Sequence, residues 1–182
     1  MSDALSRRDV LKLGAAATVT ASLGVGDALA QPASTAPVPA FFTREELALV
    51  DELSEMIIPA DEHSPGARAA NVAAYIDARL AEAWDETDRT KWRDGLKLVD
   101  ELSRSSNGKS FLQASPEERL AILTRMARNE GTPQSPEDLF FALLKARVVH
   151  AYYTSEIGIK RELEYKGNTY QNEFAGIDVS GT

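Results

Sequence analysis

Apolar side chains recur every three or four positions along most of the chain, the spacing that places them on one side of an α-helix. The first such segment begins at Thr43, which can form a capping box with Glu46, and it ends before Pro59. Its apolar positions are Leu47, Val50, Leu53 and Ile57. The pattern therefore predicts a first helix over residues 43–58.

Two further segments with the same periodicity follow a loop that is rich in proline and glycine. The second predicted helix begins at Arg68 or Asn71 and ends at Trp84, and one stripe along it is apolar. The third begins at acidic residues between positions 85 and 88, where negative charge favours a helix N-terminus, and it stops at 105–108.

The last two predicted helices begin with the same signal, a serine followed by a proline and two acidic residues. The fourth starts at Ser115 and ends at Gly131, and the fifth starts at Ser135 and continues to about Ile157, before Gly158. Apolar residues cover more than one side of the fifth helix. This pattern predicts a central helix, or one that contacts both its own core and a partner.

No segment shows a sustained alternation with period two, so the sequence predicts an all-α fold, a single small domain of about five helices over residues 43–158. Three prolines among small residues predict a flexible linker over 31–42. Residues 159–182 lose the helical pattern but keep several aromatic side chains. We expect this segment to be an extended, partner-binding tail.

The first thirty residues have the pattern of a twin-arginine export signal. The signal residues are Ser6, Arg7, Arg8, Leu11 and Lys12. Ala28 and Ala30 fit a small-x-small cleavage site, which makes Gln31 the first mature residue and predicts a periplasmic protein. A membrane anchor is the competing interpretation, but the apolar run is diluted by polar residues and is shorter than the roughly twenty apolar residues that span a bilayer.

Composition excludes several classes of protein for the 152 residues that remain after cleavage. The net charge of -8 argues against binding to nucleic acid, because the phosphate backbone would be repelled. The absence of cysteine excludes disulfides, thiolate-bound metals and covalent haem. Any redox chemistry must therefore be carried by something other than this chain's own thiols or covalent haem.

Candidate catalytic chemistry is sparse. Asp61, Glu62 and His63 could ligate a metal, but they lie in a loop without a fourth ligand at a defined spacing. His150 lies on an apolar helix with no nucleophile or base beside it. Phosphate loops, dinucleotide fingerprints and hydrolase motifs are absent from the sequence. The residues alone therefore favour a helical binding or structural module, and they predict no catalytic, cofactor-binding or metal-binding residue.

Several short motifs, taken in order, resemble the small third subunit of gluconate 2-dehydrogenase and related membrane-linked sugar dehydrogenases. They lie at 57–61, 64–67, 72–77, 152–158, 165–168 and 174–176, after the twin-arginine signal. One departure concerns the position after the last motif, where we expect some relatives to carry a cysteine and this chain carries Ile177. A disulfide to a partner cannot be assumed here.

The resemblance implies a non-catalytic subunit of a dehydrogenase complex. In such complexes a flavoprotein of the glucose-methanol-choline (GMC) type holds FAD and oxidises a sugar or sugar acid, and a cytochrome c subunit often takes the electrons onward. The flavoprotein lacks an export signal, so this chain would escort it through the twin-arginine translocase. The resemblance and the aromatic pattern together predict a partner interface at His150, Tyr152, Tyr153, Tyr165, Asn168, Tyr170 and Phe174.

Two other classes remain open from the sequence. One is a stand-alone periplasmic helical binding or structural protein, and the other is a small hydrolase or isomerase with an unrecognised site.

Overall fold

The computed structural model describes residues 38–167, and the regular structure in this part of the chain is helical, without a strand. Its α-helices are α1 Arg44–Ile57, α2 Val72–Glu82, α3 Glu86–Asn107, α4 Pro116–Ala127 and α5 Pro136–Tyr153. A 3₁₀ turn, Phe111–Gln113, precedes α4, and a π-helical turn, Gly158–Glu162, follows α5. The predicted all-α fold is confirmed.

Local capping signals explain where three of these helices begin. The Thr43 hydroxyl accepts a hydrogen bond from the Glu46 backbone N–H at 3.1 Å, and the Glu46 carboxylate accepts one from the Thr43 N–H at 2.8 Å. Ser115 with Glu118 caps α4 in the same reciprocal way, and Ser135 with its third helical residue caps α5. Each cap satisfies backbone donors that a helix N-terminus leaves without partners.

Helix α5 lies at the centre of the domain and packs against each of the other four helices. This arrangement agrees with its apolar residues covering several sides. Gly95 of α3 lets the two helices approach closely, because a Cβ there would overlap the Phe140 ring of α5. The largest fully buried side chains in the core are Trp92, Tyr152, Phe111, Leu53, Met126 and Leu144.

The segment before α1 is fixed to the domain by the buried carboxylate of Asp77 in α2. This carboxylate accepts backbone N–H bonds from Ala40 at 2.6 Å, Phe41 at 3.0 Å and Phe42 at 2.8 Å. The Phe42 ring packs edge-on against Trp92, with 5.8 Å between centroids. Residues 40–42 therefore belong to the folded domain, contrary to the prediction that a flexible linker extends to residue 42.

The predicted signal, cleavage site and first part of the linker lie outside the described residues, as do the interface positions Asn168, Tyr170 and Phe174. The predicted tail begins differently from the expectation, since its first residues belong to the π-helical turn rather than to an extended segment. Among residues 38–167, no helix is both long enough and apolar enough to cross a membrane.

Candidate functional site

The loop between α1 and α2 folds back on itself through its own polar groups. The Ala67 N–H donates to the Ile58 carbonyl at 2.9 Å. The Asp61 carboxylate accepts backbone bonds from His63 and Ser64, both at 2.8 Å. These bonds, with that from Ser64 the largest contribution, lower the pKa of Asp61. The loop is therefore an ordered structure in which Asp61 holds a turn as an ionised acceptor.

Tyr152 of α5 joins this loop to the centre of the domain. The Tyr152 hydroxyl donates to the Pro65 carbonyl at 2.7 Å. The Ser64 hydroxyl lies 2.7 Å from the phenol oxygen of Tyr152. Because the phenol has a single hydrogen, Ser64 is the donor in the second bond. Tyr152 is 1% exposed and Ser64 is 4% exposed, so both bonds are shielded from water.

Glu55 and Gly66 close the other side of the loop. The Glu55 carboxylate accepts backbone bonds from Ala60 at 3.3 Å and from Arg68 at 2.7 Å. A Cβ at Gly66 would lie 2.5 Å from Glu55 Oε1 and 2.6 Å from the Ala60 nitrogen, which leaves no room for a side chain. Gly66 is thus required by the close approach of the Ala60 backbone and the Glu55 carboxylate.

Beside this loop the described residues present a surface that we call the aromatic face. It consists of Tyr75, His150, Tyr153, Leu163 and Tyr165, all exposed. The Tyr75 and His150 rings lie 6.4 Å apart, and Tyr153 follows His150 by nearly one turn of α5. The exposed fractions of Leu163 and Tyr165 are 56% and 54%, large for apolar side chains.

Contacts of Glu162 connect the π-helical turn to the rest of this region. The His63 ring nitrogen Nε2 lies 3.3 Å from the Glu162 carbonyl, and the Tyr153 hydroxyl lies 3.5 Å from the Glu162 carboxylate. Partial burial, followed by the nearby negative charge of Glu162, raises the pKa of Tyr153. Tyr153 therefore stays a neutral phenol at physiological pH and keeps the character of an interface side chain, apolar with one polar end.

The structure places the predicted interface residues in different environments. His150, Tyr153 and Tyr165 are exposed on the aromatic face. Tyr152 is a core residue, so the prediction that it contacts a partner is wrong: its ring is buried and its hydroxyl is used inside the domain. Sequence reasoning did not include the exposed Tyr75 and Leu163 in the predicted interface.

Within residues 38–167 the polar groups of this region are engaged in hydrogen bonds inside the domain. No group of three or more His, Asp or Glu side chains in this range could hold a metal ion. Ser64, the buried hydroxyl of the loop, is paired with a phenol, while His63 points to a backbone carbonyl. What the site offers is an exposed apolar and aromatic surface on a rigid support, which suits binding to another protein.

Comparison with known proteins assigns the family. The model of the family described as gluconate 2-dehydrogenase subunit 3 matches residues 44–170. The chain belongs to this family. Membership in the gluconate 2-dehydrogenase subunit 3 family makes it a subunit of a dehydrogenase complex, in agreement with the resemblance seen in the sequence. The match covers all five helices, the loop between α1 and α2, and the aromatic face.

No curated protein and no solved structure matches the chain.

Proposed function

We propose that this chain is the non-catalytic small subunit of a periplasmic, FAD-dependent sugar or sugar-acid dehydrogenase complex. It binds a GMC-type flavoprotein that has no export signal, stabilises it, and takes it through the twin-arginine translocase. FAD belongs to the flavoprotein, and a cytochrome c subunit accepts the electrons in complexes that contain one. The chain itself binds no cofactor in this proposal.

The observation that carries the proposal is the aromatic face in a chain of this family. Aromatic side chains dominate the binding energy of many protein interfaces, because they remove a large apolar area from water with few rotatable bonds. The support beneath the face is rigid, since Tyr152 ties α5 to the neighbouring loop. Binding therefore requires little ordering of this part of the chain.

Co-expression with a GMC-type flavoprotein that lacks an export signal tests partner binding. We would co-express both proteins, capture a tag on this chain and measure FAD in the eluate by absorbance. The proposal predicts that FAD co-purifies with the wild-type chain. Leu163→Ala combined with Tyr153→Ala should weaken binding at least about tenfold, or roughly 1.4 kcal/mol.

Leu120→Ala is the matched control, because Leu120 is 58% exposed on α4, similar to Leu163 at 56%. Equal binding by the control and by the double variant would reject the aromatic face as the interface. A wild-type chain that purifies alone as a monomer, without FAD, would favour the alternative of a stand-alone periplasmic binding or structural protein.

A further inference from the structure

A polar cleft adjoins the aromatic face. It has a volume of about 270 Å³ and is formed by α2, the start of α3 and the second half of α5. Tyr75 and His150 belong to both the cleft and the aromatic face. Its other polar side chains are Arg79, Glu82, Asp88 and Arg147. A protein that covers the aromatic face would therefore reach the mouth of the cleft.

The two arginines keep most of their hydrogen-bonding capacity unused. Arg79 Nη1 contacts the Glu82 carboxylate at 2.8 Å, and Arg147 Nη2 contacts the Asp88 carboxylate at 3.1 Å. Neither guanidinium makes a further bond to the described residues. A guanidinium carries several N–H donors in a planar fork that matches a carboxylate, so both arginines can accept a second acidic partner.

Because the charges inside the cleft balance, its unused guanidinium donors decide which ligand it favours. Glu82 and Asp88 each already have a guanidinium partner, so their charges are neutralised inside the cleft. An incoming cation would meet the two arginines, whereas an incoming carboxylate would meet unused donors. The two arginines and the two carboxylates of the cleft thus balance, on a chain whose net charge is -8.

Trp92 forms part of the cleft wall and carries a buried indole donor behind it. Its indole Nε1–H is buried and has no acceptor among the described groups. Buried donors normally have partners, and an unpaired one marks a place where an acceptor or a small rearrangement is stabilising. Because the chain contains only two tryptophans, this N–H can also report on the cleft.

We propose that the cleft binds a carboxylate, and that an Asp or Glu side chain of the dehydrogenase partner supplies it in the complex. This inference rests on the proposed function, because it requires a partner on the aromatic face. The acidic side chain would enter beside Tyr75 and His150 and lie between Arg79 and Arg147. The aromatic face would then bury apolar surface against the partner, while the ion pairs in the cleft fix the partner's orientation.

Free acetate tests the chemistry of the cleft in the isolated chain. In ¹H–¹⁵N NMR spectra, acetate at constant ionic strength should shift the indole signal of Trp92 in a saturable way. The signal of Trp84, which is fully exposed, should stay in place. Acetamide, the neutral analogue, should shift neither signal. No saturable shift of Trp92, or equal shifts of both tryptophans, would overturn the proposal.

The assembled complex tests the source of the carboxylate. Arg79→Gln and Arg147→Gln should each weaken binding of the co-expressed flavoprotein by about tenfold and abolish the acetate response. The control is Arg125→Gln, because Arg125 is 45% exposed and ion-paired with Glu137, much as Arg147 is 49% exposed and paired with Asp88. Melting temperatures check that all variants fold.

The outcomes separate this inference from the proposed function. If the flavoprotein binds both cleft variants as tightly as the wild type, the carboxylate inference fails while the escort function stands. If the cleft variants bind the flavoprotein normally while acetate still shifts Trp92 in the wild-type chain, the cleft binds free carboxylates and not the partner. That outcome also overturns the proposal. If the wild-type chain binds no flavoprotein, the proposed function fails.

Discussion

At the scale of single residues, a buried phenol and a buried carboxylate hold the motif regions together. Tyr152 and Asp77 both belong to the short motifs that resemble the family, and both act inside the domain. Tyr152 anchors the loop between α1 and α2, whereas Asp77 anchors the segment before α1. The same two motifs therefore supply both buried anchors and the exposed Tyr75 and Tyr153 of the aromatic face.

Replacing Tyr152 with phenylalanine removes one hydroxyl from this arrangement. The Pro65 carbonyl and the Ser64 hydroxyl would then lose partners in a region shielded from water. We expect the free energy of unfolding to fall by about 1–3 kcal/mol, measured by urea denaturation. Tyr153→Phe is the control and should change it by less than about 0.5 kcal/mol. Equal effects would contradict the assigned role of Tyr152.

Replacing Asp77 with alanine leaves three backbone donors at residues 40–42 without their acceptor. We expect a loss of roughly 2–4 kcal/mol in unfolding free energy, together with faster hydrogen exchange of these amides. Asp94→Ala, at an exposed position on α3, is the matched control. Unchanged exchange at Phe42 in the Asp77 variant would show that the carboxylate does not hold the segment.

At the scale of elements, the start of α5 makes the domain sensitive to acid. The Asp138 carboxylate accepts backbone bonds from Ser135 at 3.0 Å and Gln134 at 3.3 Å. The Ser135 backbone bond, aided by the Ser135 side chain and Asn129, lowers the pKa of Asp138. This contribution to stability is complete above about pH 4, the ordinary range for aspartate, and is lost as the pH falls through the lowered value.

The melting temperature should report this linkage. Asp138→Asn should be less stable than the wild type at pH 7, because the amide is a weaker and neutral acceptor. Between pH 7 and about pH 3 the melting temperature of the variant should fall by less than that of the wild type, since the variant has one fewer carboxylate to protonate. Asp94→Asn should follow the wild type. A parallel loss in wild type and Asp138→Asn would contradict the linkage.

The helices could be predicted from sequence because their signals are local. The capping serines with Pro116 and Pro136 mark the starts of α4 and α5 within a few residues. The C-terminal end of α5 differs from the prediction. The helix ends at Tyr153, with Thr154 as its C-cap, before the predicted break at Gly158, and a π-helical turn begins at Gly158.

The surface could be predicted only in part, because burial depends on contacts between distant segments. Tyr152 and Tyr153 are adjacent aromatic residues, yet one is in the core and the other is exposed. Nothing in the local pattern distinguishes them, since the deciding partners Ser64 and Pro65 lie far away in sequence. The pairing of Tyr75 with His150 and the polar cleft arise in the same way.

At the scale of the whole molecule, the chain combines a rigid helical domain with a sequence that has the pattern of an export signal. The domain belongs to a family of dehydrogenase subunits and carries the aromatic face through which we propose that it binds its partner. If one signal serves both subunits, the flavoprotein must fold and bind FAD before export, because the twin-arginine route accepts folded cargo. The proposed partner binding and the proposed export are therefore coupled.

The most direct measurement is FAD-dependent dye reduction in separated periplasm and cytoplasm from cells that express both subunits. The wild-type pair should show activity in the periplasm. With Arg7→Lys and Arg8→Lys the activity should remain in the cytoplasm, while the two proteins still co-purify. A control pair carrying Lys12→Arg, which keeps the charge next to the twin arginines, should resemble the wild type. Undiminished periplasmic activity with both arginines replaced would contradict the account.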